Sequence, residues 1–235
     1  MKPWLLSYEG FDPAQEGLRE ALCALGNGYF VTRGAAAETA ADEIHYPGTY
    51  LAGGYNRLTT EVAGRPIENE DLVNLPNWLV LEFRIDGGQW FKPLGVEMIS
   101  FAQELELRRG VLHRRMRFRD AQGRETSVAS RRLVSMDEPH LAATETTLTA
   151  ENWAGHIEFR SALDGTVVNA GVKRYASLNG KHLESVAATR IAPDAIGLQV
   201  RTSQSRLEVA QAARTRVLQQ GQPLELERAT SEEPG

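Results

Sequence analysis

The sequence predicts a mainly β protein, a large antiparallel β-sandwich of the supersandwich type with one short N-terminal helix. Short segments suited to strands recur along most of the 235 residues, and turn signals separate them at intervals of about 8 to 12 residues. Residues 111–119 alternate between apolar and charged side chains, as in an antiparallel strand with one wet face. The predicted inner residues are Leu112, Met116 and Phe118, and the outer ones are His113, Arg115, Arg117 and Arg119. Arg114 interrupts the alternation, which predicts an imperfect inner face at that point.

One helix is predicted near the start of the chain. Asp12 can cap it, Pro13 suits its first position, and Gly26 is a typical C-terminal signal. Apolar residues recur at helical spacing between these signals, at Leu18, Ala21, Leu22 and Leu25. We expect this apolar stripe to pack the helix against a sheet.

After the helix, the sequence favours strands joined by turns. Asp86-Gly87-Gly88 is the strongest hairpin signal and is predicted to join strands at 78–85 and 89–94. Residues 35–45 are expected to form an exposed loop, residues 64–77 a long ordered loop, and residues 140–149 a strand paired with 155–163. The other predicted strands are 29–32, 49–60, 104–109, 111–119, 124–136, 172–178, 183–191, 196–202, 206–211 and 214–218. Since no repeat and no linker is evident, residues 1–235 are expected to form a single β-sandwich domain.

Composition and charge narrow the class of protein. Acidic and basic residues are interspersed at a formal net charge of −5, so the chain lacks the basic footprint of a nucleic-acid-binding protein. The opening residues are too few for a signal peptide, and no apolar run approaches the roughly 18 residues that span a membrane. We therefore expect a cytoplasmic protein that binds neither nucleic acid nor membrane. The single cysteine, Cys23, permits no internal disulfide and is expected to lie in the core.

Several charged groups could suggest catalysis, but their spacing favours structural roles. The arginines of residues 113–119 could bind phosphate, yet alternate residues of a strand usually face water. Glu68, Glu70 and Asp71 lie too close together in sequence to straddle a sugar, as glycoside cleavage requires. The five histidines show no metal-binding spacing. The sequence therefore predicts no catalytic residue, no metal site and no other cofactor.

A group of aromatic and amide side chains is the remaining candidate for binding. Rings stack on sugars and amides hydrogen-bond to them, whereas Tyr and Trp also fill protein interfaces, so a carbohydrate-binding face and an interdomain face both stay open. The residues are Tyr46, Tyr50, Tyr55, Asn56, Asn74, Asn77 and Trp78. A structural turn precedes them, formed by Gly26, Asn27, Gly28, Arg33 and Gly34. Arg33 is expected to bind a carboxylate or carbonyl groups, and Gly34 to hold the backbone close to a neighbour.

Three blocks of this region, in this order, resemble the amino-terminal domain of glycoside hydrolase family 65. They are residues 26–34, residues 45–56, and residues 68–78 with their ending Leu75-Pro76-Asn77-Trp78. The resemblance extends from about residue 8 to about residue 95. The family includes maltose, trehalose and kojibiose phosphorylases and related glucosidases.

The resemblance implies a role as one part of a larger inverting enzyme that acts on α-glucosides. In that family a β-sandwich precedes a helical (α/α)6 barrel, which carries the acid glutamate and the pocket for phosphate or water. No position of this chain matches that glutamate, so we expect the chain alone to be inactive, as an excised domain or a truncated product. The implied partners are the helical catalytic domain, an α-linked disaccharide and a second copy in a homodimer, with inorganic phosphate as a co-substrate.

Two hypotheses follow from different classes of protein. In the first, the sandwich is a non-catalytic domain that supports the barrel and shapes the mouth of its active site. In the second, it is an independent carbohydrate-binding module that uses its Tyr, Trp and Asn loops. The first hypothesis predicts an exposed apolar patch for the absent partner, because such patches mark interaction surfaces.

Overall fold

The structure is a computed structural model that describes residues 3–170 and 177–232. The described residues form antiparallel sheets and one α-helix, which confirms the mainly β prediction. The helix α1 is Pro13–Leu22, and a 3-10 turn covers Pro93–Gly95. The strands are β1 Leu5–Glu9, β2 Leu25–Gly26, β3 Phe30–Thr32, β4 Thr49–Leu51, β5 Tyr55–Val62, β6 Arg65–Leu72, β7 Leu81–Ile85, β8 Glu97–Glu106, β9 Val111–Arg119, β10 Glu125–Val134, β11 Ala142–Ala150, β12 Ile157–Ser161, β13 Leu183–Ala192, β14 Ala195–Thr202, β15 Glu208–Arg214, β16 Leu218–Gln219 and β17 Gln222–Pro223.

The chain divides into two compact units. The first comprises Met1–Ala52 and Leu81–Arg160, and the second comprises Gly53–Val80 and Ser161–Gly235. The first unit contains the five-stranded sheet β1-β8-β9-β10-β11, the pair β7-β12 and the small sheet β2-β3-β4. The second contains the hairpin β5-β6, the sheet β13-β14-β15 and the short pair β16-β17. That residues 1–235 form one sandwich domain stays a prediction.

The inner face of the five-stranded sheet carries the core of the first unit. Its main cluster consists of buried aromatic and aliphatic side chains, namely Phe83, Phe91, Phe101, Met116, Phe118 and Val128. The rings of Phe83 and Phe91 stack with their centroids 4.8 Å apart. A second cluster contains Cys23, which confirms that this cysteine is a core residue.

The alternation predicted for β9 is confirmed. Leu112, Met116 and Phe118 are buried, whereas the outer arginines are balanced by acids on neighbouring strands. Arg114, the residue that breaks the pattern, does lie on the inner side, where its guanidinium pairs with the buried carboxylate of Glu38.

Helix α1 begins as predicted but faces the opposite way. Asp12 caps it by accepting a hydrogen bond from the N–H of Ala14, and Pro13 occupies the first turn. The helix ends at Leu22 instead of Gly26, and Leu18 and Leu22 remain 56% and 50% exposed. Its buried face is charged and consists of Glu16, Arg19 and Glu20. The expected apolar contact with a sheet is therefore wrong, because specific partners satisfy the charged face.

Three predicted stretches have a different structure. Residues 65–72 are not a loop but strand β6, which pairs with β5 along its whole length. Residues 89–94 form no strand, although the N–H of Phe91 donates to the carbonyl of Phe83. Residues 35–45 are not fully exposed, since Ala35, Glu38 and His45 are buried.

The predicted pairing of residues 140–149 with 155–163 is also wrong. Strand β11 pairs with β10, and β12 pairs with β7. Residues 172–176 of one predicted strand lie outside the described residues. Among the described residues, we find no helix with the length and apolar character needed to cross a membrane.

Candidate functional site

The first block of the predicted site is a turn held by Asn27. Its side-chain oxygen accepts hydrogen bonds from the N–H groups of Tyr29 (3.0 Å) and Phe30 (3.1 Å). Its NH2 group donates to the carbonyl oxygens of Ser135 (2.6 Å) and Pro139 (3.0 Å). One amide thus closes the turn and attaches it to the loop that follows β10.

Two glycines of this region are required by backbone geometry. Gly28 has a φ of +84°, in the region that side chains disfavour. A Cβ atom at Gly34 would lie 2.7 Å from the Cβ of Cys23 and 2.8 Å from its carbonyl oxygen. The predicted close approach at Gly34 is therefore confirmed, and its neighbour is the C-terminal end of α1.

Glu20 connects α1 to both of the first two sequence blocks. Its side chain is 2% exposed. One oxygen lies 3.0 Å from Nδ1 of His45, and the other accepts a hydrogen bond from the N–H of Tyr46 at 2.9 Å. The second oxygen also lies 3.5 Å from the guanidinium of Arg33. We call these four residues, Glu20, Arg33, His45 and Tyr46, the Glu20 cluster.

Arg33 binds the carboxylate and carbonyl groups that the sequence predicts. Its Nε donates to the carbonyl of Tyr46 at 2.8 Å, and one terminal nitrogen donates to the carbonyl of Gly17 at 2.9 Å. The guanidinium carbon lies 5.4 Å from the centre of the Tyr46 ring, within cation–π range. These contacts fix the loop that carries Tyr46 against α1.

The hydroxyls of Tyr46 and Tyr50 meet beside Arg33. Tyr50 donates to Tyr46 across 3.3 Å, and both rings are half-buried. Burial and this hydrogen bond raise the pKa of Tyr50 well above its ordinary value, so the phenol stays protonated at neutral pH. Tyr50 can therefore offer a neutral hydroxyl group but neither a nucleophile nor a base.

The remaining predicted site residues lie in the second unit, where Asn56 is a buried hub. Its side-chain oxygen accepts from the N–H groups of Gln204 (3.0 Å) and Ser205 (2.8 Å), which turns its NH2 group toward His182. That NH2 group donates to Nδ1 of His182 at 3.0 Å and to the hydroxyl of Ser203 at 3.2 Å. Nδ1 of His182 must accept this hydrogen bond, so it carries no proton and the ring is neutral.

The environment of His182 agrees with a neutral ring. Burial lowers its pKa, and the carboxylate of Asp71, with an oxygen 3.3 Å from Nε2, opposes that effect without reversing it. Asp71 therefore has a different partner from the other two acids, since Glu68 and Glu70 both pair with Arg57 across the β5–β6 hairpin. The three acids have structural partners, as the sequence favoured.

Asn74 and Asn77 also make internal hydrogen bonds. The N–H of Asn74 donates to the side chain of Asn169 at 2.8 Å, and its own NH2 group reaches the carbonyl of Val168 at 3.3 Å. The side-chain oxygen of Asn77 accepts from the N–H of Leu79 at 3.0 Å. Both asparagines are buried, so their amides act on the protein's own backbone.

Tyr55 and Trp78 have different surroundings. Tyr55, at the start of β5, is 48% exposed, while Trp78 is half-buried. The structure thus places Tyr46 and Tyr50 in one compact unit and Tyr55, Asn56, Asn74, Asn77 and Trp78 in the other.

Sequence reasoning missed Glu20, His45 and His182. Glu20 lies opposite the apolar stripe of α1, where a charged residue normally faces water, so helical spacing gave no signal. His45 lies 25 positions from Glu20, and His182 lies 126 positions from Asn56, so neither contact has a local signal. Arg114 did leave a signal, because it breaks the alternation of β9.

Comparison with known proteins places these features in a family. The family model described as "Glycosyl hydrolase family 65, N-terminal domain" matches residues 6–235. An uncharacterized glycosyl hydrolase of Mycobacterium tuberculosis is 50% identical over 94% of this chain and 16% of its own length. Trehalose 6-phosphate phosphorylase of Lactococcus lactis is 30% identical over 89% of this chain and 26% of its own length.

A solved structure gives the same result for the fold. It is assigned as a kojibiose phosphorylase from the human microbiome and superposes with a TM-score of 0.78, at 20% identity, over 95% of this chain and 30% of its own. The chain thus spans roughly a sixth to a quarter of the curated relatives named above. The family match over nearly all residues shows that this chain belongs to the N-terminal domain family of glycosyl hydrolase family 65.

Proposed function

We propose that this chain is a non-catalytic, supporting domain of an enzyme that cleaves α-glucosides with phosphate or water, and that it docks a helical catalytic domain. The names of its relatives support the reaction class, since they include a trehalose 6-phosphate phosphorylase and kojibiose phosphorylases. The acids that the sequence singled out, Glu68, Glu70 and Asp71, have structural partners. Support for docking comes from the apolar surface of the first unit.

The observation that carries this proposal is an exposed apolar surface at one end of the five-stranded sheet. The strand register brings together the start of β1, the β8–β9 turn and the β10–β11 connection. Four large side chains are more than half exposed there, namely Trp4, Leu107, Met136 and Leu141, and we call them the sheet-end patch. The carbonyl of Trp4 accepts from the N–H of Leu107 at 2.9 Å, so two of these segments are locked together.

Exposed apolar groups of this size are costly to leave in water, at about 25 cal/mol per Å². A patch built from three segments that the sheet holds in register is preorganised, which lowers the entropic cost of binding. The exposed leucines of α1, Leu18 and Leu22, form a second apolar face on the same unit. We assign both surfaces to contact with the catalytic domain.

An independent sugar-binding role receives less support. The amides of Asn56, Asn74 and Asn77 are engaged with protein groups, as described above. Two cavities in the first unit have volumes of about 20 Å³ each, enough for a water molecule but not for a sugar ring.

Mixing the chain with a separately produced family 65 helical barrel tests the docking role. We expect a 1:1 complex by analytical ultracentrifugation. The double substitution Leu107→Glu and Met136→Glu should abolish the complex. The control Ile191→Glu changes a residue of similar exposure in the second unit and should leave the complex intact. Binding that survives the double substitution would overturn the assignment of the sheet-end patch.

Two further measurements test the non-catalytic role. The chain alone, incubated with kojibiose, trehalose 6-phosphate or maltose and phosphate, should release no glucose phosphate. Titration with the same sugars should leave its tryptophan fluorescence unchanged. Turnover would contradict the supporting role, and a saturable fluorescence response at millimolar sugar would favour a carbohydrate-binding module.

A further inference from the structure

A polar patch interrupts the apolar inner face of the five-stranded sheet. The register places Arg114 of β9 opposite Ser130 of β10, and Ser130 opposite Thr146 of β11. Arg132 lies two residues from Ser130 on the same face of β10. The segment of residues 34–37 covers this patch, because Arg132 donates to the carbonyl of Ala35 at 2.9 Å. Two arginines and a hydroxyl are thereby enclosed beneath one loop.

The two arginines are close enough to influence each other. Burial, together with the positive charge of Arg114, lowers the pKa of Arg132 to about 10, although Glu38 and Glu20 oppose this shift. An anion between the two guanidiniums would offset part of the cost of burying two like charges.

A cavity of about 20 Å³ lies between these groups. Its walls are formed by residues 34–37, Leu112, Arg114, Ser130 and Arg132. No carboxylate of the described residues lines it; Glu38 lines the neighbouring cavity instead. Nε of Arg114 is buried and has no hydrogen-bond partner among the residues that the structure describes. The cavity therefore offers hydrogen-bond donors and positive charge.

We propose that this cavity binds a monovalent anion of the size of chloride, held by Arg114, Arg132 and the hydroxyl of Ser130. A water molecule would also fit, since a cavity above about 10–15 Å³ accepts one. Charge decides between them, because two guanidiniums favour an anion over a neutral molecule. Phosphate and sugars are too large for this cavity. The anion ties β9 and β10 to the loop between Gly34 and Ala37 and stabilises the folded state.

Thermal unfolding at constant ionic strength tests the proposal. Replacing sodium gluconate by sodium chloride should raise the thermal unfolding midpoint of the native chain, because gluconate is too large for the cavity. The rise should level off at high chloride concentration, as the site becomes saturated. Ser130→Ala should weaken the apparent chloride affinity about fivefold, the effect of one lost hydrogen bond. Thr147→Ala removes an exposed hydroxyl from the neighbouring strand and should leave the affinity unchanged. Substituting Arg114 is less informative, because it would leave the buried carboxylate of Glu38 without its counter-charge.

Crystals soaked in sodium bromide give an independent readout on the native protein. We expect an anomalous peak in the cavity, within contact distance of Arg114 and Ser130. A peak only at surface arginines, or water density alone in the cavity, would overturn the proposal. So would identical unfolding midpoints in chloride and gluconate.

Discussion

At the residue scale, the Glu20 cluster shows how one buried carboxylate can organise two loops. Glu20 faces a histidine, an arginine and a backbone N–H, and each neighbour comes from a different position of the chain. The sequence predicted the roles of Arg33 and Gly34, because glycine and arginine in a turn imply close packing and carbonyl binding. It could not predict their partner, since a glutamate on a helix carries no sign that it is buried.

Removing this carboxylate should destabilise the fold strongly. In Glu20→Ala, Arg33 loses its buried counter-charge and the N–H of Tyr46 loses its acceptor. We expect a loss of about 3 kcal/mol in unfolding free energy, measured by urea denaturation. Glu43→Ala, which changes an exposed acid in the same region, should cost less than about 0.5 kcal/mol. Equal midpoints for the two variants would contradict the role of Glu20 as a hub.

His45 should make stability decline as pH rises. Burial lowers its pKa, but the hydrogen bond and charge of Glu20 outweigh burial, and the net shift is upward. The folded state therefore holds the proton more tightly than the unfolded state, whose pKa is about 6.5. The stabilisation is complete below that value and is lost as pH rises through the folded-state pKa. The urea unfolding midpoint should decline less between pH 5.5 and 8.5 in His45→Gln than in the native chain. Substituting the exposed His156 with Gln is the control and should leave the decline unchanged.

His182 should act in the opposite direction. Its folded-state pKa is lowered, chiefly by burial, and the neutral ring accepts from Asn56. Its stabilisation is therefore complete above about pH 6.5 and is lost as pH falls through the lowered value. His182→Gln should reduce the acid sensitivity of unfolding between pH 4 and 6.5. An unchanged acid limb would contradict a neutral His182.

At the element scale, local signals located most strands but not all of their partners. Alternation identified β9, and turn signals located β10. Strand β8 was predicted only from residue 104, although it begins at Glu97. Strand β6 was missed because Pro66 and several acids suggest a loop. The hairpin tolerates both, since Pro66 lies at the start of a two-stranded sheet and Arg57 pairs with Glu68 and Glu70. The partner of β11 was mistaken because hairpins on either side of it were equally compatible with the sequence.

The exposed leucine face of α1 gives another prediction about a single element. Because Leu18 and Leu22 are half exposed, replacing either with serine should change the unfolding free energy of the isolated chain by less than about 0.5 kcal/mol. Leu25→Ser, at a buried position just beyond the helix, should cost several times more, about 3 kcal/mol. Both values can be read from urea denaturation. A large loss at Leu18 would mean that the leucine face packs internally.

At the scale of the whole molecule, two compact units arise from interleaved segments of one chain. The chain passes from the first unit to the second after Ala52, returns at Leu81, and leaves again after Arg160. Sequence reasoning found no linker in this arrangement, because the first two crossings occur at a turn and a short loop and the third falls within β12. We expect interleaved units to unfold together, in keeping with the prediction of a single domain.

One substitution tests this cooperativity. Trp78 is the only one of the four tryptophans in the second unit, so fluorescence of Trp78→Phe reports on the first unit alone. Its urea transition should coincide with the transition followed by far-UV circular dichroism of the same variant, as two-state unfolding requires. Separate midpoints would show that the units unfold independently.

The Glu20 cluster also restricts how relatives of this chain can diverge. The carboxylate of Glu20 serves both the turn residue Arg33 and the loop residue His45, so exchanging Glu20 leaves both partners mismatched, and exchanging either partner leaves part of the carboxylate unpaired. We expect these three positions to covary across related sequences. A chimera that imports the 26–34 block of a distant relative should fold only if it also inherits that relative's residues at positions 20 and 45.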